Sequence, residues 1–97
     1  RSIRVIDVPF YLERRKSSFE VNPAFDEHET CTLISQFLYI LGFTFDLNKE
    51  CAEWTFSESL VLRLWRHKDG KLLIEIRDMC YDDLFIDTYK KMKAYLK

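Results

Sequence analysis

The period of the apolar positions changes along the chain, and each change marks an element. Ile3, Val5, Ile6 and Val8 form a short β-like run that Pro9 ends or pushes to a sheet edge, with Phe10 and Leu12 as its continuation. Residues 13–25 read as a surface connection, because Glu13-Arg14-Arg15-Lys16-Ser17-Ser18 is polar and Asn22-Pro23 is a turn signal. Asp26 followed three residues later by Glu29 resembles a capping box, so a helix is expected to start near Glu27. Leu33, Ile34, Phe37, Leu38 and Leu41 then recur at helical spacing, and Gly42 supplies the left-handed cap. Phe43, Phe45 and Leu47 alternate with polar residues at the period of a half-buried strand, and Asn48-Lys49-Glu50 turns the chain. Trp54 and Phe56 flank Thr55 in the same way. After Ser57-Glu58-Ser59 the run from Leu60 to Arg66 alternates again.

Parity fixes the next hairpin. Leu60, Leu62 and Leu64 share one face, as do Leu72, Ile74 and Ile76. A two-residue Asp69-Gly70 loop would set Leu64 opposite Glu75, an apolar row against a charged one. A three-residue loop, Lys68-Asp69-Gly70, with Gly70 left-handed, pairs Leu64 with Ile74 and Leu62 with Ile76 instead. On the other face Trp65 then meets Leu73, Arg63 meets Glu75, and Arg77 lies opposite Val61. Asp82 or Asp83 caps a second helix in which Phe85, Thr88, Tyr89, Met92 and Leu96 keep helical spacing, and Lys90, Lys91, Lys93 and Lys97 suit the negative end of its dipole. The order predicts one α+β domain over residues 1–97: an antiparallel sheet of four to five strands with two helices packed on its leucine-rich face.

Composition agrees. With 97 residues, 47% hydrophobic and 32% charged, the chain suits a single globular core, and 15% aromatic residues offset the limited burial open to a small domain. A net charge of −1 creates no overall field toward nucleic acid or an anionic membrane. The longest nearly apolar stretch, Leu33 to Phe43, falls far short of the ~20 residues that span a bilayer, so a soluble chain is expected. Cys31, Cys51 and Cys80 are odd in number and widely spaced, which points to a reducing compartment, nuclear or cytoplasmic. The Arg1-Ser2 start, without Met or a signal-peptide pattern, reads as a cloning scar or a cut inside a longer protein.

Chemistry-bearing motifs are sparse. His28 and Cys31 share a helix face, but two ligands do not hold a metal and no Cys-x-x-Cys completes the set. A Cys nucleophile with a His base lacks a glycine-rich oxyanion turn. Gly42 and Gly70 are both used by a cap and a turn, which leaves none for a phosphate-cradling loop. Capping accounts for Asp82, Asp83 and Asp87. The expectation is a chain without catalytic, cofactor or metal residues and without a small-molecule substrate. Arg14-Arg15-Lys16-Ser17 matches what a basophilic kinase recognises, at Ser17 or Ser18, although a solvated loop explains it as well.

The face away from the leucine-rich rows is the expected contact surface. Trp65 and Leu73 extend apolar surface there beside Arg63, Glu75 and Arg77, a mixture suited to another protein chain. Helix, three strands and helix is also the order of a double-stranded RNA-binding domain. Those domains place lysines at the start of the last helix, where Asp82 and Asp83 stand here.

A helix ending Leu41-Gly42-Phe43, then Asp46, Phe56, a strand from Leu60 to Trp65, a second from Leu72 to Ile76 and a closing helix resembles the C-terminal part of the Mediator complex subunit 18 family over residues 29–97. Glu53-Trp54 replaces a glycine usual before the Phe56 position, the hairpin is shorter, and residues 1–25 have no counterpart. The resemblance implies a non-catalytic scaffold in a transcription assembly, built on an antiparallel barrel related to the triphosphate-tunnel fold. Enzymes of that fold carry Glu-x-Glu-x-Lys on a strand. Glu75-Ile76-Arg77 is the nearest run here and lacks the first acid. As a piece of such a barrel, the domain would need a partner strand for its sheet edges.

Overall fold

A computed structural model describes residues 2–9, 18–78 and 83–97. Phe10, Leu12, the Arg14-Arg15-Lys16-Ser17 pattern, Cys80 and Asp82 lie outside the described residues. Six strands and two helices follow in the order β1 (Ile6–Asp7), β2 (Ser18–Glu20), α1 (Glu27–Ile40), β3 (Phe45–Asn48), β4 (Glu53–Phe56), β5 (Leu60–Arg66), β6 (Leu72–Arg77) and α2 (Asp83–Leu96).

The start of α1 is fixed by a reciprocal cap. Asp26 Oδ1 accepts from the Glu29 N–H at 2.7 Å while the Asp26 N–H donates to Glu29 Oε1 at 3.3 Å. Its end is a Schellman turn: Gly42, at φ +87°, donates to the Tyr39 carbonyl, and the Phe43 N–H reaches back to the Leu38 carbonyl at 2.9 Å. Between these stops Cys31, Ile34, Phe37 and Leu38 are buried at helical spacing.

The sheet runs β2-β6-β5-β4-β3, all antiparallel, and β1 adds to β5 in parallel with Ile6 beside Trp65. The β5–β6 register is the one parity predicts: Leu62 opposite Ile76, Leu64 opposite Ile74, Arg63 opposite Glu75 and Trp65 opposite Leu73. Its turn closes as expected, with the Gly70 N–H donating to the His67 carbonyl and Gly70 at φ +87°. The leucine-rich face carries the core. Leu60, Leu62, Leu64, Ile74, Ile76 and Trp54 are fully buried together with Ile34 and Leu38 of α1 and Met92 and Leu96 of α2. The Trp54 indole N–H finds the Ser35 hydroxyl at 3.0 Å, which satisfies a buried donor and ties α1 to β4. Tyr89 of α2 donates to the Ser18 carbonyl at 3.3 Å, and the Asn22 N–H donates to the Leu96 carbonyl, fixing α2 over β2. Phe37 stacks on Tyr95 at 4.6 Å between the two helices.

Two expectations change. The sheet has six strands, not four to five, and one pairing is parallel. The added strand is β2, inside the stretch expected to be a surface connection: Phe19 and Val21 are buried, and Phe19 pairs with Ile74. Its apolar alternation spans too few residues to stand out beside the polar run before it, and it forms because β6 offers an open edge next to the core. The first strand is also shorter than the run of apolar residues, since Val5 is buried while only Ile6 and Asp7 join the ladder.

Candidate interaction surfaces

The five residues expected to form a contact face do share one. Arg63 and Trp65 of β5 lie beside Leu73, Glu75 and Arg77 of β6, on the side away from the helices. The face is not open at its centre. Trp65 is 4% exposed and Glu75 is 1% exposed. The Trp65 indole N–H donates to Glu75 Oε1 at 3.3 Å, and the Arg63 guanidinium lies 3.8 Å over the indole ring. Glu53 approaches Arg63 at 4.0 Å and Arg77 at 3.8 Å, and Arg77 Nε stands 3.8 Å from Glu75 Oε1. Two arginines thus bracket two glutamates, and the network closes over the tryptophan. The expectation that Trp65 and Glu75 present themselves to a partner is therefore corrected: a cation stacked on the ring and a carboxylate on its N–H leave neither group facing water. Arg63, Leu73 and Arg77 stay half-buried.

A second surface is open. A groove of about 590 Å³ runs between α1 and β3, with His28, Cys31, Thr32 and Ser35 on its helical wall and Leu47 and Lys49 on its strand wall. Ser2 and Ile3 also line it, and the Arg4 N–H donates to the Lys49 carbonyl at 2.7 Å. Strand β3 ends the sheet and pairs on one side only among the described residues. Glu27 reaches the groove but is engaged by Arg66, whose Nε and Nη2 both lie 2.7 Å from Glu27 Oε2. Burial, with a smaller contribution from Glu27, pushes the Cys31 thiol up to about 11, so it stays protonated and inert at neutral pH.

No family, curated protein or solved structure gives a significant match. Among the described residues no group of three or more His, Cys, Asp or Glu side chains could hold a metal ion, and no helix is long and apolar enough to cross a membrane. His28 and Cys31 do line the same groove, with His28 exposed and Cys31 buried. The sequence signal for the groove was the run of small or polar residues at His28, Cys31, Thr32 and Ser35 down one side of α1. It reads as an ordinary solvated flank until β3 is placed opposite.

Proposed function

We propose that the chain is a non-catalytic protein-interaction module that receives an extended segment of another protein along the open edge of β3. The observation that carries this reading is a one-sided strand lying next to a groove walled by a helix. An edge strand presents backbone donors and acceptors without partners, an added strand satisfies them, and its alternate side chains enter the neighbouring groove. The resemblance to the Mediator complex subunit 18 family supports a place in a transcription assembly, and the scattered cysteines suit the nucleus or the cytoplasm. Asp83 at the start of α2 and the pairing of Lys91 with Asp87 at 2.9 Å weigh against an RNA-binding helix. Burial of Glu75 weighs against a triphosphate-tunnel-like hydrolase, whose acids must reach a metal.

Selection of binders from a displayed library of eight-residue peptides, followed by amide shift mapping on the whole chain, tests the reading. Bound peptides are expected to shift the amides of residues 45–48 and of the facing side of α1. Peptides that bind and leave residues 45–48 unmoved, or a library that yields no binder, would remove β3 as the docking edge.

A further inference from the structure

Resting on that sheet-edge reading, we propose that the segment received in the α1–β3 groove is acidic, with a carboxylate side chain seated at the Lys49 end and aliphatic side chains over Ile3 and Leu47. The charges around the groove carry this. Lys49 lines it and is exposed, and Arg4 is exposed next to it, held there by its backbone bond to the Lys49 carbonyl. Neither cation has an ion-pair partner among the described residues; Lys68, Lys90, Lys93 and Lys97 share that state, but none of them lines the groove. Glu50, the exposed acid next to Lys49 in the chain, forms no ion pair with either cation and has an interaction of its own. Glu27 is bound by both arms of Arg66. Asp46 sits one position from Leu47 and so points to the opposite face of the sheet.

The rest of the groove selects shape instead of charge. Ile3 and Leu47 are half-buried apolar residues that pack on the core, and the Cys31 thiol beside them is neutral. The Ser35 hydroxyl already accepts from Trp54. Four residues of β3 offer roughly 13 Å of edge at about 3.3 Å per residue, so a partner of about four extended residues fills it and places the next residue beside Lys49. A carboxylate there meets two cations at the rim, where complementary charge sets specificity and the rate of capture.

The test uses the same eight-residue library against the whole chain and against Arg4→Glu/Lys49→Glu, both exposed positions whose thermal melts should match the parent. Expected are binders with Asp or Glu flanking a β-branched run, bound roughly tenfold more weakly by the doubly substituted chain and by the parent at 0.5 M salt. Binders that shift residues 45–48 but show no acidic enrichment, or that hold equally well after the charge reversal, overturn the acidic preference and leave the sheet-edge reading standing. Binders that leave residues 45–48 unshifted overturn both. Shifts at residues 45–48 that grow with protein concentration, without peptide, would identify a second copy as the occupant and overturn the proposal.

Discussion

Replacing Trp65 by Ala asks whether the face of the sheet away from the helices is interior or surface. The ring is 4% exposed, the guanidinium of Arg63 lies 3.8 Å above it, and its N–H serves Glu75. Removing a buried aromatic side chain of this size costs about 3 to 5 kcal/mol through lost transfer energy and the cavity left behind. Losing the stacked cation adds about 0.5 to 2 kcal/mol, and depriving a buried carboxylate of a donor adds roughly 1 kcal/mol. Partial collapse of the site offsets some of this, so a loss of about 4 kcal/mol is expected. A domain of this size holds only about 5 to 15 kcal/mol, and each kcal/mol moves its Tm by about 4 to 8 °C, which makes the midpoint fall by roughly 20 °C. Far-UV circular dichroism during heating and urea titration reads this directly, without depending on the fluorescence of the tryptophan that remains. Leu73→Ser on the half-buried neighbour should cost about 1 to 2 kcal/mol. A surface contact residue would change stability by less than about 0.5 kcal/mol, so a Trp65→Ala chain with an unmoved midpoint refutes the burial argument.

Other consequences are as direct. Asp26→Ala removes the acceptor of the Glu29 N–H and should lower stability by about 1 kcal/mol in urea titration, with Asp26→Ser restoring most of it. Glu58 sits at φ +64° in the β4–β5 turn without being glycine, so Glu58→Gly should raise stability by about 0.5 to 1 kcal/mol. Gly70→Ala, at φ +87° with open space around the added carbon, should lower it by about 1 kcal/mol from the backbone alone. With its thiol at about 11 in place of 9.0, Cys31 carries on the order of a hundredfold less thiolate at pH 8 than an unshifted cysteine. Its alkylation rate, followed by peptide mass, should rise about tenfold per pH unit from 8 to 10, because deprotonation is still incomplete there. A plateau reached near pH 9 would show that burial does not hold the proton.

Local grammar was readable wherever one short stretch carried the whole instruction. Asp26 and Glu29 define a cap by themselves, Gly42 and Gly70 are the residues that accept φ +87°, and the parity of the leucine and isoleucine rows leaves a single register for β5 and β6. What stayed hidden depends on distant partners. β2 exists because β6 has an edge to offer, and β1 pairs in parallel with the far end of β5, a partner distant in the chain. The left-handed Ser57 and Glu58 carry no glycine to announce them. Period two also says which residues share a face but not whether anything closes over it. Parity puts Arg63, Trp65, Leu73, Glu75 and Arg77 on one face, yet Trp65 and Glu75 are buried there. Only side-chain geometry shows the arginine laid over the indole.

The balance of charge in that cluster bears on function more than its burial does. Among the described residues Arg63 and Arg77 contribute two positive charges and Glu53 and Glu75 two negative ones, at separations of 3.8 to 4.0 Å. Taking one member away would leave an uncompensated charge at the side of Trp65, which is costly, while the complete set exerts little field at a distance. The cluster therefore acts to seal the sheet. Arg4 and Lys49, at the β3 margin, have no ion-pair partner among the described residues, so under the proposed reading that margin is where charge meets a partner.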